Sequence, residues 1–188
     1  MPTNDCSWTG DDALMTTYHN EEWGKPLHDD NALFELLNLE GFQAGLSWKI
    51  VLHKRENFRK AFDGFDANII QHYSEDKVNE LMQDASIVRN QAKIRATIGN
   101  ARAFLAIQKE FGSFDSYIWS FTDGKTIVNS IHSLADLSAK TPISDKMSKD
   151  LLKRGFKFVG STICYSFMQA CGMVDDHFNT CSCKSAQI

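Results

Sequence analysis

Proline is scarce in this chain, with three in 188 residues beside eleven glycines. Linker-rich, collagenous and disordered chains need far more of both, so a packed globular body is expected. A long apolar run is missing too. The best candidate, "FVGSTICYSFMQACGMV" (residues 158–174), has 17 residues and carries Ser, Thr and Gln. It reads as a buried helix rather than a bilayer span, and no membrane partner is expected. The opening "MPTNDCSWTG" has neither a basic n-region nor an apolar h-region, so no secretion signal is expected. In the cytoplasmic protein that follows, five cysteines are thiols or metal ligands before they are disulfides. No repeat or low-complexity tract breaks the chain. A single domain over residues 1–188, built as two helical lobes and monomeric, is the expectation.

Net charge is −4, which taken alone argues mildly against a nucleic-acid partner. The distribution argues the other way. Residues 5–40 hold nine carboxylates and one lysine, whereas residues 89–109 hold Arg89, Lys93, Arg95, Arg102 and Lys109 with no acid. "KMSKDLLKRGFK" (residues 146–157) adds five bases against one acid. Such polarisation suits a phosphate backbone, although solvated helix faces look the same.

Helical period dominates. Leu33, Phe34, Leu36 and Leu37, then Ile50, Val51, Phe58 and Phe62, place two helices around a break at Gly41 and Gly45. Ser74 is an N-cap for "EDKVNELMQDA", and a long basic helix is expected from about Arg89 to Lys109. A further helix covers "FDSYIWSF". Ser144 should start a helix that Gly155 stops, and a last helix should end at Gly172. The stretch "DGKTIVNSIHSL" is irregular or holds one short strand, so the fold is all-α. Residues 74–110 read as a helix-hairpin-helix, a motif that grips DNA backbone through hairpin N–H groups. An ordinary helical hairpin fits equally well, because the turn Asp84-Ala85-Ser86-Ile87-Val88 has no glycine.

Near the C-terminus His177 and Cys181 stand in an H-x3-C spacing, and near the N-terminus Cys6 and His19 stand in C-x12-H. Two thiolates and two imidazoles suit tetrahedral zinc with no open position, hence a structural ion clipping the two ends together. Spacing alone does not join pairs so far apart, and Cys183 competes with Cys181. "HNE" at 19–21 matches the H-x-E of zinc deaminases, but the P-C-x-x-C that must accompany it is absent.

Four phrases together resemble one family: "YHNEEWGKPLHD", "LEGFQAGLSWKIVLHKRENFRKAFDGFD", "ASIVRNQAKIRATIGNARA" and "KRGFKFVGSTICYSFMQACGMVDDH". They are similar to the type I 3-methyladenine DNA glycosylases, over about residues 6–183. The resemblance implies a helix-hairpin-helix glycosylase fold acting on alkylated double-stranded DNA. It also implies one structural Zn2+ on Cys6, His19, His177 and Cys181, and a base pocket at Tyr18, Glu40 and Trp48 with Trp8 and Trp23 close by. On the hairpin, Ser86, Arg89 and Lys93 become the DNA-contacting candidates.

The residues fit that chemistry. A glycosylase takes its nucleotide out of the stack into an aromatic pocket, and three of the four tryptophans fall within the first 48 residues. Adenine methylated at N3 is cationic, so ring faces attract it and its glycosidic bond is already weak. A carboxylate, here Glu40, would hydrogen-bond its amino edge. Many helix-hairpin-helix glycosylases add a catalytic Asp after the motif, and bifunctional ones a Schiff-base Lys. Residues 85–114 contain no Asp, consistent with a monofunctional enzyme without lyase activity. Two departures from the family pattern stand out: Met15 where an aromatic is usual, and Ser86 where the hairpin usually has glycine.

Overall fold

The structure, a computed structural model, describes residues 6–185. Ten helices account for most of it: α1 (Ala13–Glu21), α2 (Asp30–Gln43), α3 (Trp48–His53), α4 (Arg55–Ala61), α5 (Ala67–Ile70), α6 (Glu75–Gln83), α7 (Gln91–Phe111), α8 (Phe114–Trp119), α9 (Pro142–Lys153) and α10 (Ser161–Ala170). Two residues, Ile127–Val128 (β1), pair in parallel with Val174–Asp175 (β2). The expected helical architecture therefore holds, with one short strand pair set into it.

Side-chain caps start these helices. Asp12 Oδ1 accepts from Met15 N at 3.0 Å, Asp29 Oδ1 from Ala32 N at 2.8 Å, and Ser74 Oγ from Lys77 N at 3.4 Å. Each satisfies one of the N–H groups a first turn leaves free. Two starts differ from expectation. Asn90 caps α7, so Arg89 lies before the helix. Thr141 caps α9 with Pro142 in its first turn, and Ser144 Oγ accepts from Thr141 N at 2.8 Å. Ser144 thus closes a capping box from the third helical position instead of opening the helix.

Phenylalanines fill the core. Phe34, Phe42, Phe58, Phe62, Phe65 and Phe114 are fully buried between α2, α4, α7 and α8. Phe62 stacks on Phe65 with centroids 5.5 Å apart. Each such ring contributes about 1.5–3 kcal/mol by leaving water. Two buried amides set the register of the packing. Asn100 on α7 donates to Asn38 on α2 at 2.9 Å and accepts Lys157 N from the α9–α10 turn at 2.8 Å.

Residues 24–27 cross residues 169–172 at very close range. Gly24 N donates to Gln169 O at 2.9 Å, and Leu27 N to Cys171 O at 3.0 Å. At Gly172, with φ +74°, a methyl group would fall 2.2 Å from the Lys25 carbonyl carbon, so no other residue fits. This crossing lays the segment after α1 against the end of α10, and β1–β2 pins residues 174–178 beside it.

Candidate active site

The crossing opens a cavity of about 250 Å³ between α1, α2, α3 and α10. Trp8, Tyr18, Trp23 and Trp48 line it together with Glu40. Tyr18 and Trp48 lie 5.3 Å apart at 46°, while Trp8 meets Trp23 edge-on at 5.3 Å. All five expected pocket residues therefore converge, from an N-terminal turn, three helices and the turn that follows α1. Met15, the departure, is not part of the lining. It packs behind Tyr18 against Leu52, so it supports the aromatic wall rather than forming it.

Glu40 is 3% exposed on α2, and its Oε2 has no hydrogen-bond partner in the protein. Burial lifts its carboxyl to about 8. Trp48 Nε1 is likewise buried and unpartnered. Leaving a buried polar atom unpaired costs roughly 1–3 kcal/mol. Two of them in one small aromatic cavity mark a place built for a polar, flat ligand. Burial also raises the Tyr18 hydroxyl well above its ordinary value, which keeps it a neutral phenol.

Four further polar groups line the cavity: Gln43, Ser166, Gln169 and Asp176. Phe178, Leu134 and Leu137 complete it. None was singled out from sequence. Asp176 carried a signal, since it directly precedes a metal-type histidine; the others come from segments whose place at the pocket is purely tertiary.

Beside the pocket His19, His177, Cys181 and Cys183 present donor atoms that all lie within 4.8 Å of one another. Cys183 thus occurs in this group where Cys6 was expected. Cys6 stands next to it, buried in one small cluster with Cys181 and Phe178. His177 Nε2 is buried with no partner, while its Nδ1 is 2.8 Å from Asp175 Oδ1. His19 Nδ1 is held by Asn20 at 2.7 Å, and its Nε2 lies 3.6 Å from Cys181 Sγ. Outer partners thus fix both rings while the opposite nitrogens converge, the pattern of metal-ligating histidines. A soft N/S donor set with an orphaned imidazole nitrogen fits zinc. The rings also touch the pocket: Trp23 meets His177 at 4.6 Å and Trp8 meets His19 at 5.6 Å.

The hairpin candidates divide. Arg89 is exposed before α7. Ser86 is half-buried, and both its N–H and its hydroxyl donate to Asp84 Oδ1, at 2.8 and 2.6 Å. The expectation for Lys93 is corrected. It is 6% exposed and turned inward, its Nζ donating to Phe42 O at 2.8 Å and Ala44 O at 2.5 Å. A cation there satisfies carbonyls at the C-terminal end of α2 and cannot also reach phosphate.

The Methyladenine glycosylase family model matches residues 8–184. DNA-3-methyladenine glycosylase of Haemophilus influenzae is 46% identical over 184 residues, 98% of this chain and 100% of the relative. DNA-3-methyladenine glycosylase 1 of Escherichia coli is 49% identical over 178 residues, 95% of each chain. A crystal structure of 3-methyladenine DNA glycosylase I superposes with a TM-score of 0.93 at 49% identity, over 95% of this chain and 98% of the other. The Staphylococcus aureus enzyme, solved to explain its 3-methyladenine recognition, gives 0.95 at 34% identity over 98% of both chains. Helical fold, aromatic cavity and near-complete coverage agree: the chain belongs to the methyladenine glycosylase family.

Proposed function

We propose that this protein is a DNA repair enzyme that hydrolyses the N-glycosidic bond of 3-methyladenine in alkylated DNA. The carrying observation is Glu40, a buried carboxyl with an unpartnered oxygen in a cavity walled by Tyr18 and three tryptophans. In this reading the nucleotide leaves the stack, its base enters between the rings, and Glu40 pairs with the amino edge. The C1′–N9 bond breaks with its electron pair going to the base, which cancels the base's positive charge. The sugar takes up that charge, and water adds at C1′ with loss of a proton. No lysine lines the cavity among the described residues, which favours simple hydrolysis over a Schiff-base lyase step.

The backbone grip we assign to the turn at residues 154–160 in preference to 84–90. At 84–90 the Asp84 carboxylate already takes the Ser86 N–H and would repel a phosphate. At 154–160 Gly155 has φ +98°, Lys157 is exposed, and Gly160 leads into α10 with no side-chain cap on its first N–H groups. Free N–H groups at a helix start attract an anion. α9, this turn and α10 would then be the helix-hairpin-helix of a single domain spanning residues 1–188, with Arg89 as a flanking contact.

The same reading takes Cys6, His19, His177 and Cys181 as ligands of one zinc ion. Zinc would supply no reaction chemistry there; it would tie residues 6–19 to 177–181 and so brace Trp8 and Trp23. Cys6 is preferred over Cys183 because it is buried against Cys181, whereas Cys183 is half-exposed with its thiol toward Asn20 Oδ1 at 3.6 Å.

The test is incubation of purified protein with methylated duplex DNA and chromatography of the released bases. Free 3-methyladenine with unbroken strands is expected; no release from folded, zinc-loaded protein would overturn the reading.

A further inference from the structure

The cavity contains a second carboxylate that differs from Glu40 in every respect except burial. Asp176 lines the pocket at 2% exposure, just past β2. Asn129 Nδ2 donates to its Oδ1 at 2.7 Å, and Tyr165 OH and Gln169 Nε2 each donate to its Oδ2 at 2.7 Å. All three partners are neutral donors, Asn129 from beside β1 and the other two one turn apart on α10. The clamp thus meets both carboxylate oxygens with donors and introduces no positive charge that would cancel theirs. Its neighbour Asp175, the last residue of β2, turns the other way, to His177, so successive residues at the end of this strand serve the metal cluster and the pocket.

A pocket for methylated adenine must refuse ordinary adenine, which has the same ring and greatly outnumbers it in DNA. The two differ by one methyl group and one unit of charge. A methyl alone discriminates only about 10–200-fold in an apolar site. Charge is the larger handle, because inside a site emptied of water a fixed anion acts on a cation far more strongly than it would in solvent. Glu40, with its carboxyl held protonated by burial, offers a hydrogen bond rather than a standing charge.

We propose that Asp176 supplies the standing negative charge of the pocket and makes it prefer a cationic purine over a neutral purine of the same shape. The inference rests on the glycosylase reading for its substrate, and it gives Asp176 a specificity role separate from the hydrogen bonding of Glu40. It also explains release: cleavage returns the base's charge to the sugar, so the product loses the attraction that held the substrate.

The test is titration of zinc-loaded protein, followed by tryptophan fluorescence, with 3,9-dimethyladeninium (a cation at neutral pH) and with neutral 9-methyladenine. Wild type should prefer the cation. Asp176→Asn should lower that preference about tenfold or more, chiefly by weakening cation binding. Asn129→Ala, which leaves the charge in place, should change it by less than about twofold. An unchanged preference in folded Asp176→Asn overturns the proposal. Should that variant fail to fold, Gln169→Lys decides, since it sets a cation against the carboxylate: an equal fall supports the proposal and an unchanged preference overturns it. Base release from methylated DNA by wild type is read separately. Release with an unchanged preference sinks only the Asp176 role, and a lowered preference without release sinks only the glycosylase reading.

Discussion

Gly24 and His177 are in contact in a way that admits no side chain: a methyl on Gly24 would fall 2.7 Å from His177 Cε1. The same residue has φ +76°, and its N–H is held by Gln169 O at 2.9 Å, so the backbone cannot swing aside. Gly24→Ala should push the imidazole off the donor cluster. Left-handed strain alone costs about 1–2 kcal/mol. Metal analysis and a melting curve should show reduced zinc and a lower Tm, while a full complement of zinc at unchanged Tm would contradict the contact.

Glu40 couples stability to pH. Unfolded, its carboxyl ionises near the ordinary 4.5; folded, it keeps the proton up to about 8 because burial opposes its charge. Between those values the folded state binds the additional proton, so stability falls as pH rises, by at most about 1.4 kcal/mol per pH unit. Glu40→Gln removes this dependence. Urea melts should show the variant gaining on wild type from about pH 5 to pH 8, with base release lowered roughly tenfold or more. Parallel stability profiles for the two proteins would refute the assigned state of Glu40.

Zinc content separates the two candidate thiols. Cys6→Ser should lose most of the metal and several degrees of Tm, because ligation energy becomes folding energy. Cys183→Ser should retain both. The reverse result would give the fourth position to Cys183, in line with the tight donor group of which it forms part.

Lys93 and Arg89 should part company. Lys93→Ala removes a buried cation from two carbonyls and should cost about 1–3 kcal/mol of stability, leaving the salt dependence of DNA binding as it was. Arg89→Ala should leave stability unchanged and reduce the slope of log affinity against log salt by about 0.9. Equal slopes for wild type and Arg89→Ala would remove Arg89 from the interface.

The helices were legible in the sequence because capping and apolar period are local: Ser74 and Gly155 mark the ends where they fall. The start of α9 was displaced because Thr141 and Ser144 cap reciprocally, and one motif offers two plausible first residues. Trp8, Tyr18, Trp23, Glu40 and Trp48 were legible only through their family phrases, yet they do share one cavity. Lys93 was misjudged because charge in a basic helix was taken for exposure, and the α2 carbonyls that turn it inward lie about fifty residues away. Gln169 and Leu134 were invisible for the same reason: a pocket wall assembled by a chain crossing has no sequence period.

That crossing has a consequence for how the protein is made. His19 and Cys181 meet across 162 positions, and the aromatic residues of the first 48 positions find their opposing wall only in residues 134–178. During synthesis the tryptophans must therefore wait, exposed, while eight helices emerge behind them. Catalytic competence would arrive all at once with the last stretch of chain, so a ribosome-stalled or nicked fragment carries a helical body without a working pocket.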